Sequence, residues 1–180
     1  MPNPSISSFI ANFAGGGARP NLYEVILTFP AALPNVFASE KLSFTCTAAT
    51  LPSSTIEPAQ VFYMGRTVKL AGDRSFEDWN ITVMNDTDFA VRDALEDWSN
   101  RISSHSGNRT ATGWSNPTNY FADALVIQYG REREILKTVK MEGIFPLQIG
   151  EIQLGFDQQS QIEVFQVMFA VNYWSSSLTN

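Results

Sequence analysis

Apolar and polar residues alternate with a period of two through much of this chain, and that period predicts strands with one face buried. Residues 22–29 (LYEVILTF) make the first run, and residues 42–48 the next, with Leu42, Phe44, Cys46 and Ala48 on one face. Residues 56–63 and 66–71 are expected to form a hairpin about Met64-Gly65. Pro58 lacks a backbone donor, so its strand belongs at an edge or is irregular where it starts. Residues 76–84 alternate again and put Trp79, Ile81 and Val83 on the apolar face. Strands are also predicted at 122–129, 134–142 and 162–174. The last run places Phe165, Val167, Phe169, Val171 and Tyr173 on one face and Ile162, Val164, Gln166, Met168, Ala170 and Asn172 on the other; both are mostly apolar, so both faces are expected to be covered. Breaks fall at Pro30–Asn35, at Leu51–Ser54, at a Gly72-Asp73-Arg74 turn, and in a turn segment from Gly143 to Gly150 around Pro146.

Two stretches carry helical spacing instead. Val91, Ala94 or Leu95, Trp98 and Ile102 define one amphipathic helix over about 87–102. Asp86 and Asp88 complement its positive end and Arg101 its negative end. Trp79 and Trp98 are assigned to the core where this helix meets a sheet. Near the N-terminus, Ile6, Phe9, Ile10 and Phe13 share one helical face, capped by Ser5 and ended by Gly15-Gly16-Gly17. This arm (1–17) either folds back on its own core or packs on a neighbour. Residues 103–120 form a polar loop that is long for a compact domain. The pattern as a whole is mainly β: an antiparallel sandwich or barrel with one amphipathic helix, in a single domain over 1–180. The absence of βαβ alternation argues against a dinucleotide fold.

Composition adds a lean toward burial between subunits. Of 180 residues, 44% are hydrophobic and only 17% charged, whereas soluble domains average about 25% charged. The net charge of −6 makes the chain a poor grip for phosphates, which need Lys and Arg. Cys46 is the one cysteine, so no intrachain disulfide forms, and its strand-like context marks it as a small buried apolar residue. Met1-Pro2-Asn3-Pro4 lacks the features of a secretion signal, and no run approaches the length of a membrane span. The expectation is a protein kept in the cytoplasm, or leaving it without a signal, and not inserted in a membrane.

Candidate chemistry is sparse. His105, the one histidine, lies in a Ser/Gly loop with no carboxylate placed to orient it. Asp86 and Asp88 lack the calcium-loop pattern and read as helix caps. Glu77 and Asp78 are adjacent on a strand and point to opposite faces, so they are no glycosidase pair. Gly15-Gly16-Gly17 precedes a strand where a phosphate loop would follow one. Neither catalytic residues nor metal ligands nor a cofactor are expected.

Five ordered segments resemble the tail tube protein of contractile-tailed bacteriophages of the T-even-like type. They are Ala18-Arg19-Pro20-Asn21-Leu22-Tyr23-Glu24-Val25; Phe44-Thr45-Cys46 with Ala49-Thr50-Leu51-Pro52; Met64-Gly65-Arg66 through Ala71-Gly72-Asp73-Arg74-Ser75-Phe76-Glu77-Asp78-Trp79 to Asn85-Asp86; Gly143-Ile144-Phe145-Pro146 with Ile149 to Leu154; and Ile162-Glu163 to Tyr173-Trp174. The departures are the Ile6–Phe13 arm, Pro30–Glu40, the 103–120 loop and the end after Trp174.

The resemblance implies hexameric rings that stack into a hollow tube inside a contractile sheath. Its partners would be copies of itself, the sheath protein, baseplate and tail terminator proteins, and, in the lumen, a tape-measure protein and then DNA. The protein would reside in the virion tail after assembly in the host cytoplasm. The hairpin and following turn are the candidate inter-subunit contacts: Tyr63, Met64, Gly65, Arg66, Asp73 and Arg74. Arg66 and Arg74 are read there as interface ion-pair partners or as ordinary surface arginines. The arm residues Ile6, Phe9, Ile10 and Phe13 are candidate contacts as well. Acids lining the lumen would repel phosphates, but only over about 8 Å at physiological salt. The inner tube of a bacterial injection particle, a baseplate tube initiator and a monomeric ligand-binding sandwich are the competing readings.

Overall fold

A computed structural model describes residues 5–13, 17–33 and 37–179. In chain order the elements are α1 (Ile6–Asn12), β1 (Tyr23–Thr28), α2 (Ala38–Thr45), β2 (Cys46–Ala49), β3 (Ser54–Tyr63), β4 (Arg66–Phe76), β5 (Trp79–Met84), α3 (Ala90–Ile102), α4 (Pro117–Tyr120), β6 (Ala122–Tyr129), β7 (Ile135–Ile149), β8 (Val164–Ala170) and β9 (Tyr173–Ser176). The mainly β, antiparallel expectation holds. The Gly15-Gly16 part of the hinge and residues 34–35 of the predicted Pro30–Asn35 break lie outside the described residues.

Strand β7 is shared by two walls. Its first half pairs with β6 on one side and β9 on the other, as in Val139↔Val126 and Val139↔Ser176. Its second half pairs with β8, as in Pro146↔Phe169. The change of direction comes at Gly143, whose φ of +65° suits glycine. A Cβ there would sit 2.5 Å from Asn172 Nδ2. The Gly143 N–H donates to Asp123 Oδ1 (3.3 Å), and the Gly143 carbonyl accepts from Asn172 Nδ2 (2.8 Å). The first wall therefore reads β1-β6-β7-β9 and the second β7-β8-β5-β2.

The walls enclose one core. Val25, Leu27, Ala124, Val126, Val139 and Met141 come from the first, and Trp79, Ile81, Val83, Phe165, Val167 and Phe169 from the second. Helix α3 adds Val91, Ala94, Leu95 and Trp98. Trp98 is fully buried between Phe169 (6.2 Å between ring centroids) and Phe29 (5.7 Å), and its Nε1 donates to the Tyr120 carbonyl at 2.9 Å. Trp79 Nε1 likewise donates to Thr50 O at 2.8 Å. Each indole thus buries its rings without stranding its N–H.

Several expectations need correction. Residues 42–45 are helical, not strand. Ala38 and Leu42, four residues apart, are buried together in α2, while Phe44 of the supposed strand face is exposed. Tertiary packing on β1 overrides the alternation, and only Cys46–Ala49 extends as β2. The Gly143–Gly150 turn is the second half of β7, with Pro146 beside a register shift, where a strand tolerates proline. Gly72-Asp73-Arg74 is no turn either; it lies within β4, and a Cβ on Gly72 would meet Glu57 O at 2.4 Å beside the Pro58 bulge. The 162–174 run is two strands parted at Val171-Asn172. Its second face, with Ile162 and Val164, is exposed in the single chain. The helix expected at 87–102 begins at Ala90, the segment read with helical spacing behind Ser5 is α1, and the unexpected helices are α2 and α4, the latter within the 103–120 loop.

Asp86 and Asp88 are not the caps expected: the N-cap of this helix is Phe89, with no side-chain capping bond, although Asp88 accepts from the Ala90 N–H at 3.2 Å and Asp86 from the Thr87 N–H. They also clamp α2 to it, since Lys41 Nζ lies 3.0 Å from Asp86 Oδ2 and contacts Asp88 as well. Hydrogen bonds from Lys41, then from the backbone, hold both carboxyls below their usual 3.8. Depressed carboxyls contribute stability above their unfolded pKa and lose it as pH falls through the folded values. The stability difference between the native chain and Lys41→Met should therefore shrink as pH drops below 3.8, in urea unfolding at stepped pH. A constant difference would assign the effect to the lysine stem. Trp98→Ala should cost about 3–5 kcal/mol in the same assay; a loss well under that range would mean the helix is not pinned there.

Candidate assembly surface

Strands β3 and β4 pair only with each other and form a two-stranded sheet apart from the walls. The strands are 10 and 11 residues long, so the hairpin reaches about 33 Å at ~3.3 Å per residue. Its tip is Met64 (φ +46°) and Gly65 (φ +77°), the two left-handed residues that a tight type I′ turn needs. Its root is narrow. Glu77 N–H and Trp174 Nε1 both donate to Ser53 O (3.3 and 3.2 Å), and Phe76 meets Trp174 edge-on at 6.2 Å.

Register sorts the hairpin into two unlike faces. Ala59↔Leu70, Val61↔Val68 and Tyr63↔Arg66 share one face, and Gln60↔Lys69 and Phe62↔Thr67 the other. Every residue of Glu57 to Ser75 is exposed, Phe62 by 77% and Met64 by 86%. An isolated two-stranded hairpin is marginal in water without another surface against its apolar face. The sequence-predicted residues Tyr63, Met64, Gly65 and Arg66 thus gather at the tip. Asp73 and Arg74 lie near the root, where Arg74 Nη1 donates to Ser54 Oγ at 2.8 Å.

Helix α1 presents Ile6, Phe9, Ile10 and Phe13, all exposed, with Phe9 and Phe13 stacked at 5.2 Å. Ser5 Oγ caps it through Ser8 N–H at 3.1 Å. None of its residues is buried, so the fold-back onto the parent core is not what the structure has. A third apolar surface was not foreseen. The irregular stretch after β7 exposes Leu154 and Phe156, whose signal was two apolar residues inside a Gln/Gly-rich run.

Strand edges complete the picture. α2 lies along β1, and Ser39 Oγ donates to Leu27 O at 2.5 Å, covering that edge. In the second wall, β2 and the latter half of β7 have no further strand partner among the described residues. The outward faces also differ. The first wall carries Asp123, Lys140, Glu142 and Tyr173, with Lys140 Nζ 3.0 Å from Glu142 and 3.4 Å from Asp123. A hydrogen bond from Tyr173, then one from Lys140, holds the Glu142 carboxyl down.

His105 Nδ1 pairs with Asn100 Oδ1 at 3.0 Å. Among the described residues, no three His, Cys, Asp or Glu side chains converge as metal ligands. A groove of ≈ 680 Å³ over the second wall is lined by amides and hydroxyls such as Asn80, Thr82, Gln148 and Gln166. Cys46 is half-buried, and burial pushes its thiol up to about 11, far from a reactive thiolate. Among the described residues, no helix is long and apolar enough to cross a membrane.

The described residues form a two-wall β structure that carries exposed apolar extensions. The phage tail tube protein family model matches residues 18–177, and the chain belongs to that family of virion components. It is 35% identical to the tail tube protein gp19 of Enterobacteria phage T4 over 162 residues, 89% of this chain and 93% of the relative. Its fold is shared with a chain of the anti-feeding prophage baseplate (TM-score 0.61, 11% identity, 89% of this chain and 95% of that one). A chain from the sheath/tube terminator of an extracellular contractile injection system gives 0.60 at 11% identity, over 89% of this chain and 96% of that one.

Because the Ala59/Val61/Val68/Leu70 face is exposed in the single chain, Val61→Ser with Leu70→Ser should leave subunit stability within about 0.5 kcal/mol of the native value. A larger loss in urea unfolding would mean that this face packs on its own core.

Proposed function

We propose that this chain, acting as a single tube domain, assembles into hexameric rings that stack into a hollow tube inside a contractile sheath and conduct DNA into the host. The observation that carries this reading is the β3–β4 hairpin, an apolar extension with no partner in its own chain. The open edges of β2 and β7 support it, since joining sheets between copies removes exposed edges. A head-to-tail contact that closes on itself gives rings.

In this reading Tyr63, Met64, Gly65 and Arg66 reach a neighbouring subunit at the hairpin tip, and Asp73 and Arg74 contact it near the root. Ile6, Phe9, Ile10 and Phe13 dock the arm on another copy. Sheath, baseplate and terminator proteins are the outer partners, in keeping with the assemblies in which the similar folds occur. A tape-measure protein and then DNA occupy the lumen. Assembly takes place in the host cytoplasm. The inner tube of a bacterial injection particle would use the same surfaces without DNA, and the 35% identity to a phage protein favours the phage tail.

Negative-stain images of the purified chain should contain rings or hollow rods. A monomer with no such assemblies would overturn the reading. Arg74→Glu should leave the subunit folded by circular dichroism and sharply reduce rods; undiminished rods would remove Arg74 from the contact.

A further inference from the structure

Helix α1 is too short to hold itself together. Its 7 residues fall well under the roughly 12–15 at which even good helix formers become marginal in water. Ile6, Phe9, Ile10 and Phe13 are exposed, and no residue of the helix is buried. Ile6–Asn12 carries no charged side chain. A surface that supports this helix must therefore be apolar, uncharged and already formed.

The grooves of the subunit differ in that respect. The one along the second wall is lined by amides and hydroxyls. One beside Tyr129 holds Glu24, Arg131 and Arg133, and one beside β9 holds Lys140 and Glu142. A cleft of ≈ 440 Å³ is lined instead by Pro30, Ala31 and Ala32 from the turn after β1, and by Trp114, Thr118 and Phe121 around α4. None of its lining residues is ionisable. Both sides are fixed. Leu33, itself buried, closes the turn by donating its N–H to Pro30 O at 3.0 Å. On the other side, Asn119 Nδ2 donates to Gly113 O (2.5 Å), Asn116 Oδ1 caps α4 through the Thr118 N–H (3.1 Å), and the Arg101 guanidinium lies 5.6 Å from the centre of the Trp114 ring.

We infer that this cleft is the receptor for α1 of a second copy, entered by the stacked Phe9–Phe13 pair. The assignment rests on the self-assembly reading above and adds the surface on which the arm is received. Neither side brings an ion that must lose its water, and burial gives the helix the support that its length denies it. Apart from Phe121, the lining belongs to Pro30–Glu40 and the 103–120 loop, two regions that depart from the tail tube resemblance. The arm is a third, and it precedes the family match, which begins at residue 18. One contact accounts for the three departures together.

Two experiments on the full chain test this. With Cys46→Ser, copies carrying Ile10→Cys are mixed with copies carrying Ala31→Cys, and in a second set Phe13→Cys with Thr118→Cys, and the assembled tubes are oxidised. Cross-linked dimers should form in the mixtures and not with either variant alone. Tubes in which neither set links overturn the receptor assignment and leave the tube reading in place. So does a link confined to one chain when both cysteines are on the same subunit. In the native background, Ala31→Arg (or Ala32→Arg should the first not fold by circular dichroism; both positions are exposed) and the pair Phe9→Ser with Phe13→Ser should each raise the concentration at which rods form about tenfold, and all together by no more than that, because partners in one contact do not add. Effects that multiply, or rods unaffected by the cleft substitution, overturn the assignment. Failure of the unsubstituted chain to form tubes would instead strike the tube reading itself.

Discussion

The bend of β7 at Gly143 lets one strand serve two walls. Before it, β7 holds β6 and β9; after it, β8, and through β8 the rest of the second wall. The left-handed backbone needed at that point is cheap for glycine and strained for other residues. The space a side chain would need is already filled by Asn172, whose amide ties the corner shut. The buried faces of both walls, and the pocket that Trp98 plugs, follow from that one change of direction.

With the core closed, the interest moves to what the fold leaves unsatisfied. Burial is complete inside the walls, yet the hairpin, α1 and the stretch around Phe156 expose large apolar side chains. Exposed apolar patches on this scale mark sites of association. The edges divide too: β1 is covered by α2, while β2, β9 and the latter half of β7 have no further strand partner among the described residues. The molecule therefore leaves strand edges and apolar extensions unsatisfied, as suits a subunit whose neighbours supply the missing contacts.

Sequence periodicity read the second wall well. Trp79, Ile81 and Val83 and the Phe165–Phe169 face are buried as the alternation required, because a strand covered on one side writes its pattern directly. Residues 42–45 misled because Leu42, Phe44 and Cys46 also alternate by two; the deciding contacts, α2 against β1 and Lys41 against two aspartates, are distant in sequence. Pro146 and Gly143 read as a turn for a related reason. Bulges and corners use the residues that turns use, and only pairing distinguishes them. The tip residues of the candidate surface were legible from Met64-Gly65, but the length of the hairpin, and hence the placing of Asp73 and Arg74 within a strand, depended on the bulge at Pro58.

The narrow root of that hairpin has a mechanical meaning. A lever about 33 Å long meets the body where Trp174 Nε1 donates to Ser53 O and the Trp174 ring contacts Phe76, while the bond from Glu77 N–H to Ser53 O closes the hairpin's own base. A load applied at Met64 therefore acts on the root with a large moment. Compliance is concentrated there, while the two-walled body, braced by its corner, stays stiff. An object made of such parts would flex at its joints before its building blocks deformed.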